Sequence, residues 1–305
     1  MDSVLVKLLS GIDGWQASAI ALKAMTYGAS FVASGGVFFL AWLSPRLSNP
    51  EQCSIRRVLA VAALAGMILS VSRIVVLNGI LSGDWSGMLD VEMTRAVLAS
   101  REGPAIALRL AGLGLIGLGC GARISGWLLC IPLSGAVLAA TSFSLAGHAS
   151  ELATEAGPLP LWLICVHLLA VAFWLGALWP LHRLTYSSDV GKVAAVMQRF
   201  GRMAAIFVGL LIAVGVLLLW LLLGTPGALW QSAYGQMMIV KFACVVFLLV
   251  LAVINKTRFT PRLYNGDRSA IAGLRRSIAA EIVVAGMILL TTASLTTIAG
   301  PPAIN

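Results

Sequence analysis

The sequence predicts an all-α membrane protein, a single domain over residues 1–305 built as a bundle of about eight transmembrane helices. Hydrophobic residues make up 59% of the 305 residues and charged residues only 11%, and the mean hydropathy is +0.96. A soluble domain carries about 25% charged residues, so a bilayer must surround most of this chain. The net charge of +9 does not indicate a nucleic-acid partner, because the basic residues lie in short loops between apolar runs.

Eight apolar runs are long enough to span a bilayer, which takes about 20 residues in a helix. They are predicted at 17–43, 57–81, 104–121, 126–146, 159–181, 202–223, 236–255 and 278–299. Helices one to four therefore occupy 1–146, and helices five to eight occupy 147–305. Proline-containing breaks such as Ser44-Pro45 and Gly157-Pro158 separate neighbouring runs.

The distribution of lysine and arginine predicts the orientation. The loops after helices one, three, five and seven hold 14 of these residues, whereas the opposite side holds three. Basic loops stay in the cytoplasm. We therefore expect both termini outside the cytoplasm, which is the periplasm if the membrane is a bacterial inner membrane.

One long loop, at about 82–103, is predicted on the outer side. Its apolar and acidic residues alternate with the spacing of a short amphipathic helix that lies on membrane lipid. Those residues are Trp85, Met88, Leu89, Met93 and Val97, with Asp84, Asp90 and Glu92.

Two of the three histidines fall in the outer half of the predicted bundle. His148 lies where helix four leaves the membrane, and His167 lies eight residues into helix five, roughly 12 Å deep. Imidazole binds copper, zinc and haem iron, and methionine sulfur adds affinity for Cu(I). His148 and His167 are therefore candidate metal ligands, with Met88 and Met93 on the side where a metal arrives. The alternatives are an exposed loop histidine and a packing residue bonded to backbone.

Ionisable residues inside a membrane span favour a functional role. Lys23, Arg73, Arg109 and Lys241 all fall in the outer half of their helices. Each could extend its charge to the membrane surface, or the four could line one polar cavity that attracts an anion.

Two more residues are candidates for a path through the bundle. Trp174 lies two turns below His167 on the same helix face. Glu281 lies near the inner start of helix eight, where we expect an ion pair with a basic residue such as Lys256.

Short motifs in a fixed order give the second half of the chain a family resemblance. They are Gly147-His148-Ala149, the run from His167 to Pro180, Ser232-Ala233-Tyr234-Gly235 before Lys241, Asn255-Lys256, Pro261-Arg262-Leu263, Arg276-Ser277 with Glu281, Thr291-Thr292-Ala293 and Pro301-Pro302. Over about residues 140–302 this set resembles the CopD family of copper-resistance inner-membrane proteins.

The resemblance implies eight helices and a role in moving copper from the periplasm towards the cytoplasm. It also implies a small periplasmic copper carrier of the CopC type as partner. By this analogy His148 and His167 are copper ligands, for Cu(I) or Cu(II), and Lys241 and Glu281 are family-type positions.

Two other functions stay open from the residues themselves. In a haem-binding redox protein, His148 and His167 would be the axial ligands of haem b, and the outer basic residues would hold the propionates. In a docking or assembly factor, the chain would bind a periplasmic copper chaperone and transport nothing. The sequence has neither a Walker lysine loop nor an Asp-Lys-Thr-Gly phosphorylation motif, so ATP-driven pumping by this chain alone is not expected. The chain is predicted to be a carrier or binding protein and not an enzyme.

Overall fold

The computed structural model describes residues 11–121, 126–146, 157–223, 230 and 232–298. Within these ranges the regular structure is helical, and eight helical segments are long and apolar enough to cross a membrane. This confirms the predicted all-α bundle. The eight segments are Gly14–Arg46, Asn49–Ser82, Glu102–Gly121, Gly126–Ser144, Leu159–Leu184, Val190–Leu221, Ala233–Tyr264 and Ala270–Ile298.

Ten α-helices make up these segments and the outer loop. They are α1 Gly14–Leu43, α2 Asn49–Ser82, α3 Val91–Ala99, α4 Glu102–Gly121, α5 Cys130–Thr141, α6 Leu159–Leu184, α7 Val190–Leu223, α8 Ala233–Ile254, α9 Thr260–Tyr264 and α10 Ala270–Ile298. A single π-helical turn, Asn255–Phe259, joins α8 to α9. Short 3₁₀ turns precede and follow α5.

Three helices begin well before the apolar runs predicted for them. The runs were predicted to start at 57, 202 and 278, whereas α2, α7 and α10 start at Asn49, Val190 and Ala270. Hydropathy alone excludes these first turns because polar and charged residues interrupt their apolar residues. They are helical because they are capped and packed: Ser48 and Glu51 form a capping box at the start of α2, and Lys192 of α7 pairs with Glu51 at 2.7 Å.

Helix α1 lies at the centre of the bundle and packs against α2, α5, α6 and α10. Its closest approach is to α6, where Gly35 faces Ala172 and Gly176. Small residues also lie at the α4–α5 contact, where Gly112 faces Gly135 and Ala139. Small residues let membrane helices approach backbone to backbone.

The contact at Gly35 predicts a stability defect. A β-carbon there would lie 1.8 Å from the carbonyl oxygen of Ala172. We therefore expect Gly35→Ala to lower the stability of the detergent-purified protein by at least ~1–3 kcal/mol, the usual cost of overpacking. Gly114→Ala in α4 is the control, because no atom lies within 4 Å of its β-carbon position. If Gly35→Ala and Gly114→Ala unfolded at the same temperature, the close packing of α1 against α6 would be contradicted.

The outer loop contains the predicted short helix, α3, preceded by a 3₁₀ turn at Ser86–Leu89. Trp85 packs against Trp15 of α1, with ring centres 4.6 Å apart. Asn78 of α2 holds the loop by donating to the Met88 carbonyl at 3.1 Å and to the Thr94 hydroxyl at 2.8 Å. The loop is therefore fixed against α1 and α2.

Candidate functional site

Three of the four predicted basic residues converge on one carboxylate. Arg73 of α2 donates to both oxygens of Glu102 at the start of α4, at 2.5 Å and 3.1 Å. Lys23 of α1 and Arg109 of α4 also interact electrostatically with Glu102. We call these four residues the outer cluster.

Arg109 is the most deeply buried member of the outer cluster, with 2% of its surface exposed. Its Nε donates to the Ser142 hydroxyl at 3.1 Å, and its guanidinium lies 3.9 Å from the centre of the Phe143 ring. Its Nη1 is buried and has no hydrogen-bond partner among the described residues. Lys23 is held differently, because its ammonium donates to the Thr296 carbonyl of α10 at 3.0 Å.

Lys241 of α8 lies in a different place from the other three basic residues. It interacts electrostatically with His167 of α6. The charges that act on Lys23 and Arg109 are those of the outer cluster and Tyr27, not that of Lys241. The four basic residues thus form a group of three, plus Lys241, whose charge acts on the candidate metal ligand His167.

His167 has the feature expected of a side chain that awaits a ligand. Its Nδ1 is buried and lacks a hydrogen-bond partner among the described residues. Buried polar atoms are almost always paired, so the packing-residue interpretation, in which this nitrogen bonds to backbone, does not describe it. An imidazole nitrogen in this state can coordinate a metal ion.

Soft ligands lie on the same face of α8 as Lys241. Met237 precedes Lys241 by four residues, one helical turn. Tyr234, Met237 and Met238 are buried together against Leu295 of α10. Met237 and Met238 are not among the ligands predicted from the sequence, and their shared buried position on α8 is visible only in the fold.

Trp174 and Glu281 meet in the half of the bundle that is predicted to face the cytoplasm. The indole N–H of Trp174 and the side-chain amide of Asn255 both donate to the Glu281 carboxylate, which is 3% exposed. The expected Glu281–Lys256 ion pair is not among the salt bridges of the described residues. Asn255 points at Glu281 instead, and one residue further along a helix the side chain points about 100° away.

A cavity of about 220 Å³ adjoins this carboxylate. Trp174, Asn255, Lys256 and Glu281 supply its polar wall, and apolar residues of α6, α7, α8 and α10 line the rest. The predicted path residues Trp174 and Glu281 therefore share one cavity below His167.

Two of the remaining predicted ligands, Met88 and Met93, lie in the outer loop. Met88 and Met93 are both half-buried there, and hydrogen bonds from Ser86 and Gly87 hold the pKa of the neighbouring Asp84 below its usual range. His148 lies outside the described residues. Within the part of the chain that the structure describes, no group of three or more His, Cys, Asp or Glu residues is placed to hold a metal ion.

Two family models match the chain. Copper resistance protein D matches residues 194–295, and the N-terminal domain of copper resistance protein D-like proteins matches residues 13–158. The chain belongs to the copper resistance protein D family. The copper resistance protein D match confirms the resemblance predicted for the second half, and the second model extends it to the outer cluster. His167 and Trp174 lie between the two matched ranges.

A curated relative is the copper transport protein CutJ of Bacillus subtilis (strain 168), which is 28% identical over 143 residues. The match covers 45% of this chain and 25% of that protein, so the chain spans about a quarter of that relative's length. No solved structure matches the chain. Family membership and the eight apolar helices make this a multi-pass membrane protein of the copper resistance protein D family.

Proposed function

We propose that this copper-handling protein takes copper from the periplasm towards the cytoplasm across the bacterial inner membrane, and that His167 is a copper ligand on the way. The observation that carries the proposal is the buried, unpartnered Nδ1 of His167. Imidazole binds copper in both oxidation states, and a thioether such as that of Met237 favours Cu(I). The role is that of a carrier and not of an enzyme.

The polar residues of the second half of the chain suggest the route. His167 and Lys241 lie in the outer half of α6 and α8. Trp174 follows two turns along α6, roughly 10 Å further in, and its indole reaches Glu281 beside the cavity. Copper would arrive near His148, Met88 and Met93, delivered by a carrier of the CopC type.

The charge of Lys241 favours transient binding of transported copper at His167 over a permanent metal centre. When Lys241 is protonated, its charge repels a copper ion bound at His167, and the repulsion is strong at low dielectric. Such a site binds copper and also releases it, as conduction through a binding site requires.

Copper accumulation in cells tests the proposal. Bacteria that lack their own copper uptake should accumulate more copper when they express this protein than when they carry an empty vector. Lower accumulation would overturn the proposed direction. Unchanged accumulation with normal membrane expression would favour a docking factor for a copper chaperone.

The orientation makes a separate prediction. Cys53 is exposed near the start of α2 and should lie on the cytoplasmic side, so a membrane-impermeant maleimide should not label it in intact cells. The positive control is Arg95→Cys in a protein whose native cysteines have been replaced, because this places a single cysteine in the outer loop. Efficient labelling of Cys53 from outside would reverse the proposed topology.

A haem b protein is the second candidate, because Lys241 places a cation beside His167, as a propionate would require. Lys241 is the member of the predicted propionate-binding set whose charge acts on His167. The iron content of the purified protein separates haem from copper.

A further inference from the structure

The outer cluster carries more positive than negative charge. Lys23, Arg73 and Arg109 surround the single carboxylate of Glu102. Arg73 takes both oxygens of that carboxylate, so among the described residues Lys23 and Arg109 donate only to neutral oxygens. Burying a cation without a counter-charge costs several kcal/mol.

Arg109 makes this imbalance permanent. A guanidinium does not lose its proton in a protein, and 98% of the residue is removed from solvent since only 2% stays exposed. Its Nε donates to the Ser142 hydroxyl, and one face of its guanidinium plane packs against the Phe143 ring. Its Nη1 is left with N–H groups that no described residue accepts.

We propose that the outer cluster binds a small inorganic anion of the halide class, such as chloride, at Nη1 of Arg109. The anion supplies the missing acceptor and the missing negative charge together. None of the four residues of the outer cluster is a proposed copper ligand, so the proposal does not depend on the copper route.

The donors available favour a halide over a larger oxyanion. Phosphate or a lipid headgroup brings several oxygens that each need a donor. Here the Nε and Nη2 donors of Arg73 already bond to the Glu102 carboxylate. The aromatic rings of Tyr27 and Phe143, with centres 4.5 Å apart, close the side next to Arg109. One Nη1 group with a neighbouring ammonium suits a single spherical anion.

The test is thermal unfolding of the full chain, purified in detergent with gluconate as the anion. Chloride added at constant ionic strength should raise the unfolding temperature in a saturable way. Arg109→Gln should raise the half-saturating chloride concentration by ~10-fold or more, since a hydrogen bond to a charged group contributes ~1.5–3 kcal/mol. Glu102→Gln should lower that concentration, because it removes the competing negative charge.

Arg95→Gln is the matched control, because Arg95 is an exposed arginine on the same side, paired only with Glu92. It should keep the wild-type response. Equal stabilisation by chloride and gluconate, an unchanged response of Arg109→Gln, or stronger stabilisation by sulfate would each overturn the proposal. If Arg109→Gln does not fold, wild-type crystals grown in bromide decide: an anomalous peak beside Nη1 of Arg109 supports the site, and its absence rejects it.

Discussion

Replacing His167 with alanine should reduce copper accumulation through the protein by at least ~10-fold, because even the loss of a residue that only supports a metal ligand costs 10–100-fold in affinity. The measurement is copper content of cells that express each variant at equal membrane levels. The control is His182→Ala, which removes a histidine from the inner end of the same helix, where the ring packs against Tyr186. Accumulation that is unchanged in His167→Ala would exclude His167 from the route.

The unfolding temperature of His167→Ala shows whether His167 is a metal ligand or a packing residue. The Nδ1 of His167 makes no hydrogen bond within the described residues, and an unsatisfied buried polar atom destabilises a protein. His167→Ala should therefore unfold at about the same temperature as the wild type. A packing histidine would lose stability and copper accumulation together.

Glu102→Ala should give the largest loss of stability among the polar substitutions. It leaves the Arg73 guanidinium without its carboxylate inside a group of three cations. Removing one partner of a fully buried ion pair costs ~3–5 kcal/mol. The side chain of Glu102 keeps 23% of its surface exposed, so we expect a value at or just below the lower end of that range.

The control for Glu102→Ala is Glu92→Ala, which breaks the Arg95–Glu92 pair of the outer loop. Both of those side chains are more than 70% exposed, and exposed pairs contribute ~0–1 kcal/mol. The double variant Arg73→Ala with Glu102→Ala should recover part of the loss, because it removes both charges. Similar losses for Glu92→Ala and Glu102→Ala would contradict the buried cluster.

The membrane spans could be predicted because length and hydropathy are local properties of the sequence. The outer helix α3 could be predicted for the same reason, from the spacing around Met88 and Met93. The early start of α7 could not, because the turns from Val190 owe their helical state to packing: Val193, Val196 and Phe200 are buried in the core.

The sequence predicts the depth of the candidate residues in the bundle but not their direction around it. Residue number fixes how far Lys23, Arg109 and Lys241 lie from a helix end. It does not say that α1 is central and brings Lys23 to Arg109, or that Lys241 faces His167 instead. Glu102 was missed because it precedes the predicted start of helix three. The sequence feature that could have indicated it is a carboxylate directly before an apolar run that contains an arginine, Arg109.

The most direct test of the central claim is the copper and iron content of the detergent-purified protein after incubation with copper, by elemental mass spectrometry. We expect copper bound to the wild type and to His182→Ala, and its loss in His167→Ala, with little iron in any of them. Near-stoichiometric iron in the wild type, or copper retained in full by His167→Ala, would contradict the account of His167 as the copper ligand.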